Sequence, residues 1–295
     1  MEKVAVISDI HGNYIALESV IEDAKKLGIE KFIISGDLVN EFPFGNKVID
    51  IIKSLKEVYV VKGNREQYLI EYDEAKYDWN NIQFRNNVFM YNELSKENLE
   101  YIKSLPFSIS MKIEDLKVRI FHASIYNISE FIHNYDDVLM EKIAKDTDED
   151  LLIFGHSHQR IWNKNVLGKE FINAGCSGVS KMNEKHSEYL VLTIDKDKFE
   201  IEPRNIEFDT DRLKKEILES GILDKEKVFV NLSYLAVTGG GDLTRDFFAK
   251  AKAEMIKENR PMYKKDAKGI FKYFRLYDDD IWIKMTNEYS KFFKL

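Results

Sequence analysis

Short apolar runs that stop on a potential metal ligand recur along this chain, and nothing else in the sequence constrains its fold as strongly. The first is Val4-Ala5-Val6-Ile7, followed by Ser8, Asp9, Ile10, His11, Gly12 and Asn13. "KFIISGDLVN" stops on Gly36 and Asp37, and "EVYVVKGNRE" stops on Gly63 and Asn64. Later, "RIFHAS" stops on His122, and "LLIFGHSH" on Gly155, His156 and His158. Runs of this length and character read as buried strands. Between the first three, Leu17, Val20, Ile21, Ala24 and Leu27 lie at helical spacing before Gly28, and "NKVIDIIKSL" reads as a second amphipathic helix. The order β-α-β-α-β predicts a parallel sheet flanked by helices. Such sheets place their sites at the C-terminal ends of the strands.

The rhythm changes further on. Residues 67 to 105 are polar and aromatic and read as helical up to Pro106. "FSISMKIEDLKVRIFHAS" predicts two strands joined by a tight turn at Glu114-Asp115, "VLMEKIAKD" a helix, and "EYLVLTIDKDKFEIEPRNIEF" a hairpin. The second half is expected to form a second, strand-rich sheet. From about Asp209 short amphipathic helices follow, and Gly239-Gly240-Gly241 before Asp242 separates two of them, with Asp242 as an N-cap. No Gly-Lys-Ser/Thr follows these glycines, so they form no P-loop. The expected division is one domain over residues 1–205 and a helical C-terminal extension over 206–295 packed on it.

Composition narrows the class of partner. Forty-four Lys and Arg against 51 Asp and Glu give 44 − 51 = −7, an acidic balance that argues against broad nucleic-acid binding. The single Cys176 excludes an intramolecular disulfide and fits a reducing compartment. The N-terminus runs directly into a strand, so no signal peptide is expected, and no apolar run reaches the ~18–20 residues of a membrane span. A cytoplasmic protein is the expectation, with no membrane partner and its oligomeric state open.

The strand ends hold two carboxylates, one amide and four imidazoles: Asp9, His11, Asp37, Asn64, His122, His156 and His158. One such residue alone would be read as a cap or a turn residue. Seven together at strand ends point to metal. Oxygen and nitrogen donors without thiolate suit Mn or Fe first, with Zn, Ni or Co as alternatives. Seven side chains exceed what one catalytic ion with an open position needs, and they suit two ions ~3.5–4 Å apart that clamp a phosphoryl group and activate water. Asp9/His11 and His156/His158, each at i, i+2, are expected to aim at one region from locally extended backbone. His133 and His186 lie in polar segments and are read as surface residues.

"SDIHGN", "GDLV", "GNRE", "FHAS" and "GHSH" occur in an order that resembles the calcineurin-like metallophosphoesterases, most closely their small bacterial and archaeal phosphodiesterase-like branch. The resemblance covers roughly residues 1 to 205. It implies a four-layer α/β/β/α sandwich. It also implies that Asp9, His11, Asp37 and His158 hold one ion, and that Asp37, Asn64, His122 and His156 hold the other, with Asp37 bridging. "NAGCSG" resembles the family's "NPGS" turn, and Cys176 within it is read as a small buried filler rather than a nucleophile.

Many relatives have a histidine after the "GN" motif, where this chain has Arg65. Arginine cannot serve as a general acid, because its pKa stays above ~12. It can hold a phosphoryl oxygen and stabilise developing charge. Glu66 offers another partner for Arg65 at the start of a helix. The expected mechanism is in-line attack by a metal-bridging hydroxide with Arg65, Asp37 and His122 as catalytic residues, favouring good leaving groups. Phe42 and Phe44 in "NEFPFGN", and Tyr14, admit two roles: stacking on a nucleobase, or stapling the loop to the next helix. The aromatics of the tail, Phe247, Phe248, Phe271, Tyr273, Phe274 and Trp282, are read as core.

The expected function is a dinuclear metal-dependent phosphohydrolase acting on a small phosphorylated substrate, a phosphodiester or a nucleotide or dinucleoside polyphosphate. A phosphoprotein phosphatase is the alternative enzyme reading, and a non-catalytic metal-containing scaffold is the alternative outside enzymes.

Overall fold

The computed structural model describes residues 1–74, 81–180, 185–260 and 277–295. Phe271, Tyr273 and Phe274 lie outside the described residues, as does part of the segment between 67 and 105.

The chain opens as expected: β1 (Glu2–Ile7), α1 (Tyr14–Lys26), β2 (Lys31–Ile34), α2 (Gly45–Lys53) and β3 (Glu57–Val60). The three strands pair in parallel. Helices α3 (Asn64–Asp73), α4 (Arg85–Glu93) and α5 (Lys96–Ser104) follow, then the tight pair β4 (Ser108–Ile113) and β5 (Leu116–Phe121). The remainder of the second sheet comes from β6 (Leu151–Phe154), β7 (Trp162–Val166) and β8 (Lys169–Asn173), with α6 (Asp137–Lys145) before it. The hairpin β9 (His186–Asp195) and β10 (Lys198–Glu207) closes this part of the chain.

Two five-stranded sheets result, ordered β10-β9-β1-β2-β3 and β4-β5-β6-β8-β7. The hairpin therefore joins the first sheet rather than the second, with β9 antiparallel to β1. The reason is that β9 is apolar on both faces. Leu190, Leu192 and Ile194 enter the core between the sheets, while Tyr189 and Val191 enter the core beneath α1 and α2. Strand β1 divides in the same way, with Val4 and Val6 facing inward and Ala5 and Ile7 facing the helices, as the period of two requires. A third apolar cluster, Phe121, Met140, Ile143, Phe154 and Phe171, covers the outer face of the second sheet with α6. The layers are thus α/β/β/α.

After β10 come α7 (Thr210–Glu219), α8 (Val228–Val237), α9 (Leu243–Lys257) and α10 (Asp279–Tyr289). Asp242 caps α9, its side chain accepting from the Thr244 N–H. Helix α8 is predominantly apolar and buried along nearly its whole length, as expected of an enclosed helix. Val230, Tyr234 and Val237 pack into the main core, while Val228 and Leu232 join Phe247, Met255, Trp282 and Tyr289 in a separate cluster. Among the described residues no helix is long and apolar enough to cross a membrane.

Candidate metal centre

The β1–α1 and β2–α2 loops are zipped together by backbone hydrogen bonds. Asp9 N donates to Gly36 O at 3.1 Å, His11 N to Asp37 O at 2.9 Å and Gly12 N to Leu38 O at 2.8 Å. The extended backbone expected at the i, i+2 pairs is not what the structure has. Asp9, His11, Asp37, His156 and His158 all sit in the left-handed region, with φ between 50° and 67°. Each such residue is strained by about 1–2 kcal/mol, and strain of this kind collects at functional sites. Here it turns successive ligand-type side chains back toward one point. Gly155 lies so close to Ser8 Oγ and Asp9 Oδ2 that a Cβ would collide with both, and Gly63 is equally confined by Asp37.

Two groups of side chains converge. Asp9, His11, Asp37 and His158 form one, and Asp37, His122 and His156 the other, the donor atoms within each lying inside 4.8 Å of one another. His11 Nε2 is 2.9 Å from His158 Nε2, 3.6 Å from Asp9 Oδ1 and 3.7 Å from Asp37 Oδ2. On the other side His122 Nε2 is 3.0 Å from Asn64 Oδ1, 3.1 Å from His156 Nδ1 and 3.4 Å from Asp37 Oδ1. Asn64, at the start of α3, thus completes the second group, and Asp37 stands between the two.

The hydrogen bonds around these groups leave acceptors pointing inward. His122 Nδ1 lies 2.8 Å from the Ser35 carbonyl and His158 Nδ1 3.1 Å from the Val179 carbonyl, which fixes a proton on each Nδ1 and leaves each Nε2 as the nitrogen that faces the centre. Asp9 Oδ2 accepts from Ser8 Oγ and from the His156 N–H, while Asp9 Oδ1 is buried without a hydrogen-bond partner among the described residues. Buried acceptors facing one another without a donor are unfavourable unless a cation lies between them. The donor set therefore fits the ions that the sequence implies. Burial opposes ionisation of Asp9 and Asp37, yet His158 beside the first and His122 beside the second hold both carboxyls below the usual range. Burial together with the His122 charge pushes His156 down to about 3. Burial acts against the charge on His122 too, but without an ion in the centre the Asp37 carboxylate overrides it and raises that imidazole to about 9, so Nε2 carries a proton that an entering cation would displace.

Arg65 borders the centre without pairing with Glu66. Its Nη2 donates to Glu41 Oε1 at 2.6 Å, and Glu41 Oε2 accepts from Ser233 Oγ of α8 at 2.9 Å. Its backbone N–H donates to Asp37 Oδ1 at 2.9 Å. Glu66 instead accepts from the N–H groups of Gly63, Asp37, Leu38 and Val39, clamping the loop that carries Asp37. An acid three residues after Gly63 at a helix start is a capping signature legible in sequence. The Glu41–Ser233 contact, 192 residues apart, carries no local signal.

Other residues take the plainer of their two roles. Phe42 and Phe44 are buried in the main core, and Tyr14 packs edge-on against Phe44, its hydroxyl bonded to Glu216. They staple the loop and do not face the centre. Cys176 is buried, with Sγ 3.3 Å from the Asp9 carbonyl. His133 is not a simple surface residue. It stacks between Phe131 and Tyr135, and Phe131 stacks in turn on His156 with centroids 4.2 Å apart.

The centre opens into a cavity of about 320 Å³ lined by Asp37, Asn64, Arg65, His156 and His158 on one side and by Phe229, Ser233, Arg245 and Phe248 of α8 and α9 on the other.

Comparison with known proteins agrees with this architecture. Residues 2–197 match the family model of the calcineurin-like phosphoesterase superfamily domain, and the chain belongs to that superfamily. It is accordingly a metal-dependent phosphoesterase. An uncharacterized protein of Methanocaldococcus jannaschii is 27% identical over 231 residues, spanning 74% of this chain and 92% of its own length. Two solved structures share the fold. A hypothetical protein of Pyrococcus horikoshii superposes with a TM-score of 0.67 at 21% identity, covering 82% of this chain and 99% of that one. A metallophosphoesterase from Sphaerobacter thermophilus has a TM-score of 0.62 at 22% identity, covering 80% and 99%.

Proposed function

We propose that this chain is a dinuclear phosphohydrolase of small phosphodiesters or nucleotide polyphosphates. Asp9, His11, Asp37 and His158 hold one ion; Asp37, Asn64, His122 and His156 hold the other; Mn or Fe is the expected metal. The observation that carries the reading is the position of Asp37 between two inward-facing acceptor groups, at the mouth of a cavity bordered by Arg65. When bound, two such ions supply Lewis acidity toward a phosphoryl oxygen and lower the pKa of water.

The chain's own residues do the rest. Glu41 holds the Arg65 guanidinium at the mouth of the centre, where its remaining N–H groups reach a phosphoryl oxygen and stabilise developing charge. Because Arg65 keeps its protons, the leaving group departs without acid help from that position, which favours aryl and phosphoryl leaving groups over alkoxides. The helices α8 and α9 wall the cavity and suit a small substrate better than a folded phosphoprotein. The extension they belong to, residues 206–295, acts in this reading as part of the substrate pocket.

Chelator-stripped protein resupplied with Mn should hydrolyse bis-p-nitrophenyl phosphate and diadenosine tetraphosphate faster than p-nitrophenyl phosphate. A clear preference for the monoester would overturn the proposed substrate class.

A further inference from the structure

A second cavity, of about 310 Å³, adjoins the metal-side one, and Glu41, Arg65, Phe229 and Phe248 line both. Its chemistry is different. On one side stand the buried amides of Asn40, Asn86 and Asn87; on the other are the rings of Phe229, Phe248 and Trp282, with centroids 5.6 to 5.9 Å apart. The amides order one another. Asn86 Nδ2 donates to Asn40 Oδ1, which also accepts from the Glu41 N–H at 3.0 Å, and Asn40 Nδ2 donates to Asn87 Oδ1. With its nitrogen committed in this way, Asn86 presents Oδ1 as an acceptor. That atom is buried, in a residue only 3% exposed, and it has no hydrogen-bond partner among the described residues. A buried acceptor left unmatched is unfavourable, and an N–H brought in by a ligand would relieve it.

We propose that this second cavity holds the nucleobase of a nucleotide substrate whose phosphorus lies in the metal-side cavity. Asn86 Oδ1 accepts an N–H from the edge of the base, and Phe229 and Phe248 lie against its face. A flat ring with N–H groups on its rim matches both walls at once. An alkyl chain leaves Asn86 unmatched, and a sugar offers hydroxyls but no face for the aromatic rings. The Arg65–Glu41 pair marks the junction, so one molecule spans both cavities with its phosphate beside Arg65. The inference rests on the phosphoesterase reading of the adjoining centre and deepens it by naming the organic part of the substrate.

The test is binding of adenosine 5′-monophosphate and of ribose 5-phosphate to the Mn-loaded protein, followed by tryptophan fluorescence. The two ligands share the phosphate and the sugar and differ in the base. The nucleotide is expected to bind at least tenfold tighter, about 1.4 kcal/mol. Asn86→Ala and Phe248→Ala should each reduce that preference severalfold while metal content stays at the wild-type level. Affinities within twofold of each other in the wild type overturn the inference without recourse to any variant, and so does a preference that Asn86→Ala leaves unchanged. Turnover of bis-p-nitrophenyl phosphate by the same preparation is scored separately. An inactive preparation that still prefers the nucleotide contradicts only the phosphohydrolase reading. An active one without the preference contradicts only the nucleobase cavity.

Discussion

At the scale of the residue, the account depends on which side chains hold charge and which hold the loops that carry it. Arg65→Ala should lower turnover of bis-p-nitrophenyl phosphate by about 10²–10³-fold, the range found when one donor to a developing anion is removed, while both ions stay bound; unchanged turnover would remove Arg65 from the chemistry. Glu66→Ala deletes the acceptor for four backbone N–H groups. Leaving several buried donors unpaired should cost about 2–4 kcal/mol, visible in urea unfolding as a lower midpoint with an unchanged slope. The candidate ligands were legible because each follows an apolar strand and most adjoin a glycine. The left-handed backbone of Asp9, His11, Asp37, His156 and His158 was not, since spacing of i, i+2 is equally compatible with an extended segment until the second loop is present to bond the first. Glu41 was invisible for a related reason: its partners, Arg65 and Ser233, are distant in sequence.

At the scale of the element, β1 to β3 and their helices follow from hydrophobic period alone, because each strand pairs with a neighbour close in sequence. The hairpin β9–β10 defeats that logic. Its internal pairing is local and was readable, but its sheet is chosen by contact with β1, more than 180 residues away. Helix α8 carries the clearest pH-dependent feature. Glu226 at its start accepts the N–H groups of Val228 at 2.6 Å and Phe229 at 3.0 Å. Burial nevertheless pushes its carboxyl up to about 7. The folded state then binds more protons than the unfolded chain between the ordinary carboxylate value near ~4.3 and about 7, so this group's contribution to stability is greatest below that window and falls as pH rises through it. Glu226→Gln removes the titration. The Tm of the variant minus that of the wild type should grow by several degrees between pH 5 and pH 8. A difference independent of pH would show that Glu226 is ionised equally in both states.

At the scale of the whole molecule, loops from both sheets and the two C-terminal helices α8 and α9 meet at one cavity. The tail was readable as helical and aromatic, but not as a wall of that cavity, because sequence gives no sign of where a helix docks. Ions that bind only the folded chain stabilise it by mass action, so stripping metal with chelator should lower the Tm by several degrees, and Mn should restore it. The most direct test of the central claim is to count metal and turnover together, by elemental analysis and bis-p-nitrophenyl phosphate hydrolysis, in the wild type and in Asp37→Ala. The account predicts two Mn per wild-type chain, at most one in Asp37→Ala, and turnover reduced by at least about 10³-fold in the variant, since the shared carboxylate serves both ions. Two ions retained with turnover intact in Asp37→Ala, or a fully active wild type holding a single ion, would contradict it.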